Sequence, residues 1–294
     1  MPWSWSGRTR AGGLLGAALL VVGALLVALP RLGSPGGGAP RDEAPGWRAL
    51  HNLFLSERSE LVARLKGKPL DMLFVGDSIT EAWRGTSYGK ASACYAERCN
   101  GIEDVFAEHF GGMETARFAI SGDRSDNLLW RLRQGEADGL NPRVVVVLIG
   151  TNDLGKAFRM RGASAAAVYR AVPGAAGGIR AVVDELRTRA PQAHILVLGL
   201  LPRGERHTEG LSGIQFMQPS VFTRAIGEVN SRAQLLAGED EHVHYVDCST
   251  PFLSEDGNMI RKALMRDALH PTAEGHEEMA RCIEGAAAPY LKEV

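Results

Sequence analysis

The chain has 294 residues, of which 45% are hydrophobic and 23% charged, an ordinary globular balance. Its net charge is −1 and its pI is near 6.7, and no basic stripe interleaved with aromatics occurs, so nothing suggests a polyanion partner and nucleic-acid binding is not expected. Once the N-terminal segment is set aside, about 250 residues remain, enough for one large domain with a substantial core.

Residues Ala11 to Pro30 are uncharged and rich in Leu, Val, Ala and Gly. As a helix they would span roughly 30 Å, the thickness of a bilayer's hydrocarbon core. Arg8 and Arg10 precede them, which keeps residues 1–10 cytoplasmic. The run ends in Ala28-Leu29-Pro30-Arg31, a poor cleavage site, so residues 11–32 read as an uncleaved signal anchor rather than a cleaved signal peptide. Either way the globular part is expected on the non-cytoplasmic side. Residues 33–46 form a Gly/Pro linker, and the folded domain occupies residues 47–294.

After Trp47 an amphipathic stretch with Leu50, Phe54, Leu61 and Leu65 predicts a helix leading into an apolar strand that begins at Met72. Glu81 to Asn100 is polar and reads as an insertion loop, followed by a short helix over Gly101 to Phe110 and a strand over Ala116 to Ile120. Ser125 or Asp126 is expected to cap the helix carrying Leu128, Leu129 and Leu132. Val144 to Ile149 is the clearest strand, and it ends at Gly150-Thr151-Asn152-Asp153, which reads as a turn. Helical pattern runs from Ala163 to Arg189 with a break or kink expected at Pro173-Gly174. Then come a strand over His194 to Leu200, a helix over Val221 to Leu236, a strand over Val243 to Cys248 and a helix over Thr272 to Ala287. Strands alternating with helices, with no fixed repeat, imply a parallel sheet with helices on both faces.

Four cysteines are too few for a disulfide scaffold. Cys94 and Cys99 lie close together in a polar segment and could bridge in an oxidising compartment; zinc is the rival reading, without a second Cys/His pair at suitable spacing. Cys248 and Cys282 are expected to be small buried residues. No Asn-x-Ser/Thr sequon occurs.

Ser78 follows one strand end, Gly122 a second and Asn152 a third, while Asp267 and His270 precede the last helix. In a parallel sheet the carboxyl ends of the strands share one edge, so these distant positions converge. The set fits acyl transfer. A serine hydroxyl needs an imidazole to take its proton, and the imidazole needs an acceptor to fix its tautomer. Asp267 and His270, three apart, can meet on one helix-like turn. A glycine N–H and a side-chain amide are suitable donors to an oxyanion. Taken singly, each piece is more readily an ordinary turn or a capped helix start; Ser78 or Thr80 could merely cap a helix.

The four blocks Gly76-Asp77-Ser78-Ile79-Thr80, Gly122-Asp123, Gly150-Thr151-Asn152-Asp153 and Asp267-Ala268-Leu269-His270-Pro271-Thr272 resemble those of the GDSL-type esterases of the SGNH hydrolase superfamily. Asn127-Leu-Leu-Trp-Arg-Leu132 and Gly199-Leu-Leu-Pro-Arg-Gly204 look like the catalytic subunits of the intracellular platelet-activating-factor acetylhydrolases. The resemblance covers roughly Trp47 to Leu291. It implies Ser78 as nucleophile, His270 as general base and Asp267 as its orienting partner. It also implies an oxyanion hole from the Ser78 and Gly122 N–H groups and the Asn152 amide. The implied fold is an α/β, flavodoxin-like three-layer α/β/α architecture with about five parallel strands, without metal or organic cofactor.

Asp77 reads as structural, holding the turn. Arg203 either binds a carboxylate or phosphate or makes a structural salt bridge, and Trp83 and Trp130 belong to the core or a pocket wall. The leading expectation is a membrane-anchored serine esterase that removes a short acyl group, acetyl, from an oxygen ester of a small molecule, lipid or glycan. A carbohydrate O-acetyl esterase or acyltransferase is the second reading, and a non-catalytic tethered binding domain the third.

Overall fold

Leu73-Phe74-Val75 and Val144 to Val147 are each at most 3% exposed, which requires cover on both faces of the strands they form. The computed structural model describes residues 60–90, 99–205 and 213–292. Five strands, Pro69–Gly76 (β1), Thr115–Ala119 (β2), Asn141–Leu148 (β3), His194–Leu198 (β4) and Val243–Val246 (β5), form one parallel sheet in the order β2-β1-β3-β4-β5. Helices among the described residues include Ser78–Glu81 (α1), Ile102–Phe110 (α2), Ser125–Arg131 (α3), Thr151–Met160 (α4), Ala165–Tyr169 (α5), Val172–Arg189 (α6), Thr223–Ala237 (α7) and Ala273–Leu291 (α8). α2 and α8 pack together as one layer, and α3, α6 and α7 as the other. The expected three-layer α/β/α fold is what the chain adopts.

This strand order has its switch point between β1 and β3, the crevice where doubly wound sheets bind ligands. Register brings Gly76 of β1 level with Ala119 of β2 and Leu148 of β3, so the segments after all three leave the sheet at one height. Gly76 must be glycine here, because a side chain would collide with the Leu148 carbonyl and the Thr80 hydroxyl. Beneath α1, Trp83 and Phe74 pack edge-on against Phe106 at centroid distances of 5.6 and 5.3 Å, anchoring the start of the post-strand segment in the core.

Several local expectations are corrected. The helical pattern from Ala163 to Arg189 does break, a little earlier than expected, at Arg170-Ala171 between α5 and α6; Pro173 itself sits in the first turn of α6, where a missing N–H costs nothing. Gly150 opens α4 directly, so Thr151-Asn152-Asp153 is the first turn of a helix and not an isolated turn. The stretch after Glu81 is not loop throughout: Ala82–Arg84 continues as a 3-10 turn, and Ser87 and Lys90 pair across a tight bend. α3 is capped neither by Ser125 nor by Asp126. Instead the Asn127 side-chain oxygen Oδ1 accepts from the Arg124 N–H at 3.0 Å.

Cys248 and Cys282 are joined to each other in a disulfide, correcting the expectation of two small buried residues. The end of a strand and one side of a long helix offered no sequence signal for their proximity. Cys99 is also disulfide-bonded, while Cys94 lies outside the described residues, as does the apolar stretch from Ala11 to Pro30. Among the described residues no helix is long and apolar enough to cross a membrane.

The Cys248–Cys282 bridge closes a 34-residue separation containing Asp267 and His270. Loop-closure entropy for that length is about 3–4 kcal/mol, so Cys282→Ser is expected to lower the unfolding free energy by about 3 kcal/mol in urea titrations. An unchanged midpoint would contradict a native bridge.

Candidate active site

The segment after β5 returns to the carboxyl edge of the sheet and makes a tight turn at Asp267-Ala268-Leu269-His270. Ala268 adopts a left-handed conformation (φ 58°) and is buried, and its carbonyl accepts from Gly204 at 2.8 Å. Asp267 Oδ1 accepts from the backbone N–H groups of Leu269 and His270 at 3.0 and 2.7 Å, closing the turn on itself. Its other oxygen, Oδ2, lies 2.7 Å from His270 Nδ1. Burial raises the Asp267 carboxyl, but the His270 imidazole and these two N–H groups outweigh it and leave the pKa below the usual range. An ionised Asp267 makes Nδ1 the donor, so the lone pair of Nε2 faces outward, 3.1 Å from Ser78 Oγ. The three expected residues are therefore brought together in one relay.

Ser78 opens α1, and Asp77 caps it by accepting from the Ile79 N–H at 3.0 Å, the structural role expected of it. α1 is held from the far side by His276 of α8, whose Nε2 lies 3.1 Å from the Ile79 carbonyl and whose ring stands edge-on to Trp83 at 4.5 Å.

The other two strand ends meet α1 at the same place. Ser121, beside Gly122, donates its N–H to the Glu81 carboxylate at 2.6 Å. Gly122 has φ 84°, a conformation that favours glycine. Asn152, in the first turn of α4, donates to the Asp123 carbonyl at 2.9 Å, so its amide borders the Gly122 turn. Ser125 donates its N–H and its hydroxyl to Asp153 at 3.0 and 2.6 Å, fastening α3 to α4.

Sequence reasoning missed the groups that hold these turns. Arg131 is fully buried, pairs with Asp123 at 2.8 Å and with Glu136, and reaches the Gly76 carbonyl at 3.4 Å. The available signal was an arginine on the apolar stripe of Leu128 and Leu132, which had to find buried acids. Among the described residues Arg203 does not make the structural salt bridge expected of it. It is buried, donates to the Thr151 carbonyl and hydroxyl at 2.8 and 3.0 Å, and stacks on Phe222 at 4.2 Å. Trp83 is core, whereas Trp130 is partly exposed. Among the described residues no group of three or more His, Cys, Asp or Glu side chains is arranged to hold a metal ion.

Residues 74–278 match the GDSL-like lipase/acylhydrolase family. The platelet-activating factor acetylhydrolase IB subunit alpha2 of Homo sapiens is 30% identical over 247 residues, 84% of this chain and 86% of that protein. The human alpha1 subunit is 28% identical over 237 residues, 81% and 80% of the two chains. A GDSL-like lipase from Bacteroides thetaiotaomicron shares the fold with a TM-score of 0.55 at 20% identity, over 81% of this chain and 97% of that one. An acetylxylan esterase from Geobacillus stearothermophilus does so with a TM-score of 0.51 at 19% identity, over 76% and 95%.

Beneath the relay, burial pushes the Asp77 carboxyl up to about 7; its Ile79 bond opposes the shift and the charges of Asp123 and Asp153 add to it. Its Oδ2 has no hydrogen-bond partner among the described residues. An acid whose pKa is raised in the folded state binds protons more tightly there than when unfolded, so this group's contribution to stability falls as pH rises from about 4 to about 7. Asp77→Asn keeps the cap acceptor and removes the titration. The variant is expected to match wild type near pH 4 and to exceed it by a few kcal/mol near pH 8, read from urea unfolding at both pH values. A difference independent of pH would refute the shift.

Proposed function

The chain belongs to the GDSL-like lipase/acylhydrolase family and is a carboxylic ester hydrolase; from that premise we propose that it removes a short acyl group, acetyl, from an oxygen ester, with Ser78 as nucleophile. The observation that carries the reading is the relay from Ser78 Oγ to His270 Nε2 (3.1 Å) and from His270 Nδ1 to Asp267 Oδ2 (2.7 Å). The acetyl assignment draws on the relatives with about 30% identity, which are acetylhydrolase subunits.

In this mechanism Ser78 Oγ attacks the ester carbonyl while His270 Nε2 takes its proton, and Asp267 stabilises the resulting imidazolium. The carbonyl oxygen becomes an oxyanion, received by the Ser78 and Gly122 N–H groups and the Asn152 amide. Collapse breaks the bond to the alcohol, which leaves with the proton from His270. Water then attacks the acyl-Ser78 ester, giving its proton to His270, and the acid departs as Ser78 recovers its hydrogen. Every proton passes through one imidazole nitrogen.

We infer further that the domain stands on the non-cytoplasmic side of a membrane, tethered by residues 11–32. The Cys248–Cys282 disulfide supports an oxidising compartment, since cytosolic thiols are held reduced.

Wild-type protein is expected to hydrolyse p-nitrophenyl acetate faster than the butyrate, and Ser78→Ala to abolish both activities. Asn152→Ala is expected to lower kcat by roughly a hundredfold or more at unchanged folding. Full activity of folded Ser78→Ala would overturn the proposal. Preference for an acetylated xylooligosaccharide over an acetyl ester of a lysophospholipid-like alcohol would move the substrate to the carbohydrate class.

A further inference from the structure

Glu81 lies three residues after Ser78, at the end of α1, and is completely buried. Among the described residues it has no ion-pair partner. Its Oε2 accepts from the N–H groups of Ser121 at 2.6 Å and Tyr88 at 3.1 Å, and its Oε1 from the Gly89 N–H at 2.6 Å and the Thr86 hydroxyl at 3.2 Å. Burying a carboxylate is costly unless it is fully hydrogen-bonded, and here three backbone donors and a hydroxyl converge on two oxygens. Those donors belong to two separate segments. One is the Ser121-Gly122 turn after β2. The other is the bend at residues 86–89, which itself leans on that turn: Ser87 Oγ lies 3.0 Å from Ser121 Oγ, and the Tyr88 hydroxyl lies 3.6 Å from the position a Gly122 side chain would take. Tyr88 is held with φ 51°, an unusual conformation for a tyrosine that its bond to Glu81 helps to maintain.

We propose that Glu81 is a positioning residue for the oxyanion hole. It sits on the same short helix as the nucleophile and fixes, through Ser121, the direction of the adjacent Gly122 N–H relative to Ser78. The bend at residues 86–89 clamps the other side of the turn. This rests on the reading of Gly122 as an oxyanion donor. A hole that misaims by a fraction of an ångström loses transition-state stabilisation while the ground-state substrate is held as before.

Glu81→Gln is the direct test. The amide is isosteric, but its NH2 must face either Ser121 and Tyr88 or Gly89, all of them N–H donors, so one side of the clamp opens. The expected result is a fall in kcat of roughly tenfold to a hundredfold with KM within about twofold, since the change amounts to displacing a donor rather than deleting it. Affinity for a small alkylboronic acid, which forms a tetrahedral oxyanion on Ser78, is expected to fall by the same factor as kcat/KM. The acid limb of the kcat/KM–pH profile should stay where it is, because the Ser78–His270–Asp267 relay is untouched.

Wild-type kcat and boronate affinity in Glu81→Gln would overturn the proposal, as would a loss accompanied by a displaced acid limb, which would assign Glu81 to the relay instead. If Glu81→Gln does not fold, Thr86→Val removes one bond to Oε1 from a partly exposed hydroxyl. It is expected to lower kcat/KM and boronate affinity together by a few-fold, and no change in either would overturn the proposal. These outcomes are distinct from failure of the esterase reading, which appears as activity in Ser78→Ala.

Discussion

The hydrogen bond between Ser78 and His270 joins residues 192 positions apart, and the rest of the site exists to make it possible. Neither partner is positioned by its neighbours in sequence alone. Ser78 is set by the end of β1, by the Asp77 cap and by a glycine at residue 76 that lets α1 fold back against β3. His270 is set by a turn that Asp267 closes on itself and by α8, which begins at Ala273 and is tied to the sheet by a disulfide and to α1 by His276. The sheet supplies the common height at which both arrive, because parallel strands put all their carboxyl ends on one edge.

Below that edge lie more buried ionisable groups than a core of this kind usually holds: Asp77, Glu81, Asp123, Arg131, Glu136 and Arg203. Asp77, Glu81, Arg131 and Arg203 satisfy backbone near the points where strands stop, and Asp123 and Glu136 pair with Arg131. Arg131 reaches the carbonyls of Gly76 and Phe118 at the ends of β1 and β2, and Arg203 that of Thr151 at the start of α4. Glu81 takes the N–H groups of the Ser121 turn and the bend at residues 86–89. Such groups add little net stability compared with apolar replacements, yet removing one partner leaves another buried and exposed to the full desolvation cost. The arrangement fixes turn geometry at the catalytic edge, where geometry has the most effect on rate.

The sheet was legible because its strands are short, β-branched and apolar on both faces: Val144 to Val147 can hardly be read otherwise. Ser78, Asp267 and His270 were legible because four separated blocks occur in order. What stayed hidden depends on tertiary partners. Pro173 signals the break between α5 and α6, but only the fold shows that it belongs to the first turn of α6, and Asn127, not Ser125, caps α3 because the serine is drawn to Asp153. Glu81 and Arg131 look like surface charges until the turns and acids they bind are in place. The pairing of Cys248 with Cys282 follows from α8 crossing the end of β5, a packing choice that spacing does not encode.

The most direct test of the activated serine is to catch its acyl ester. The protein would be mixed with p-nitrophenyl acetate, quenched in acid during the first turnover, digested and read by peptide mass spectrometry. Activation of Ser78 by His270 predicts an acetyl group on the Ser78 hydroxyl, appearing in step with a burst of nitrophenolate. Steady turnover with the acetyl group on another residue, or on none, would contradict it.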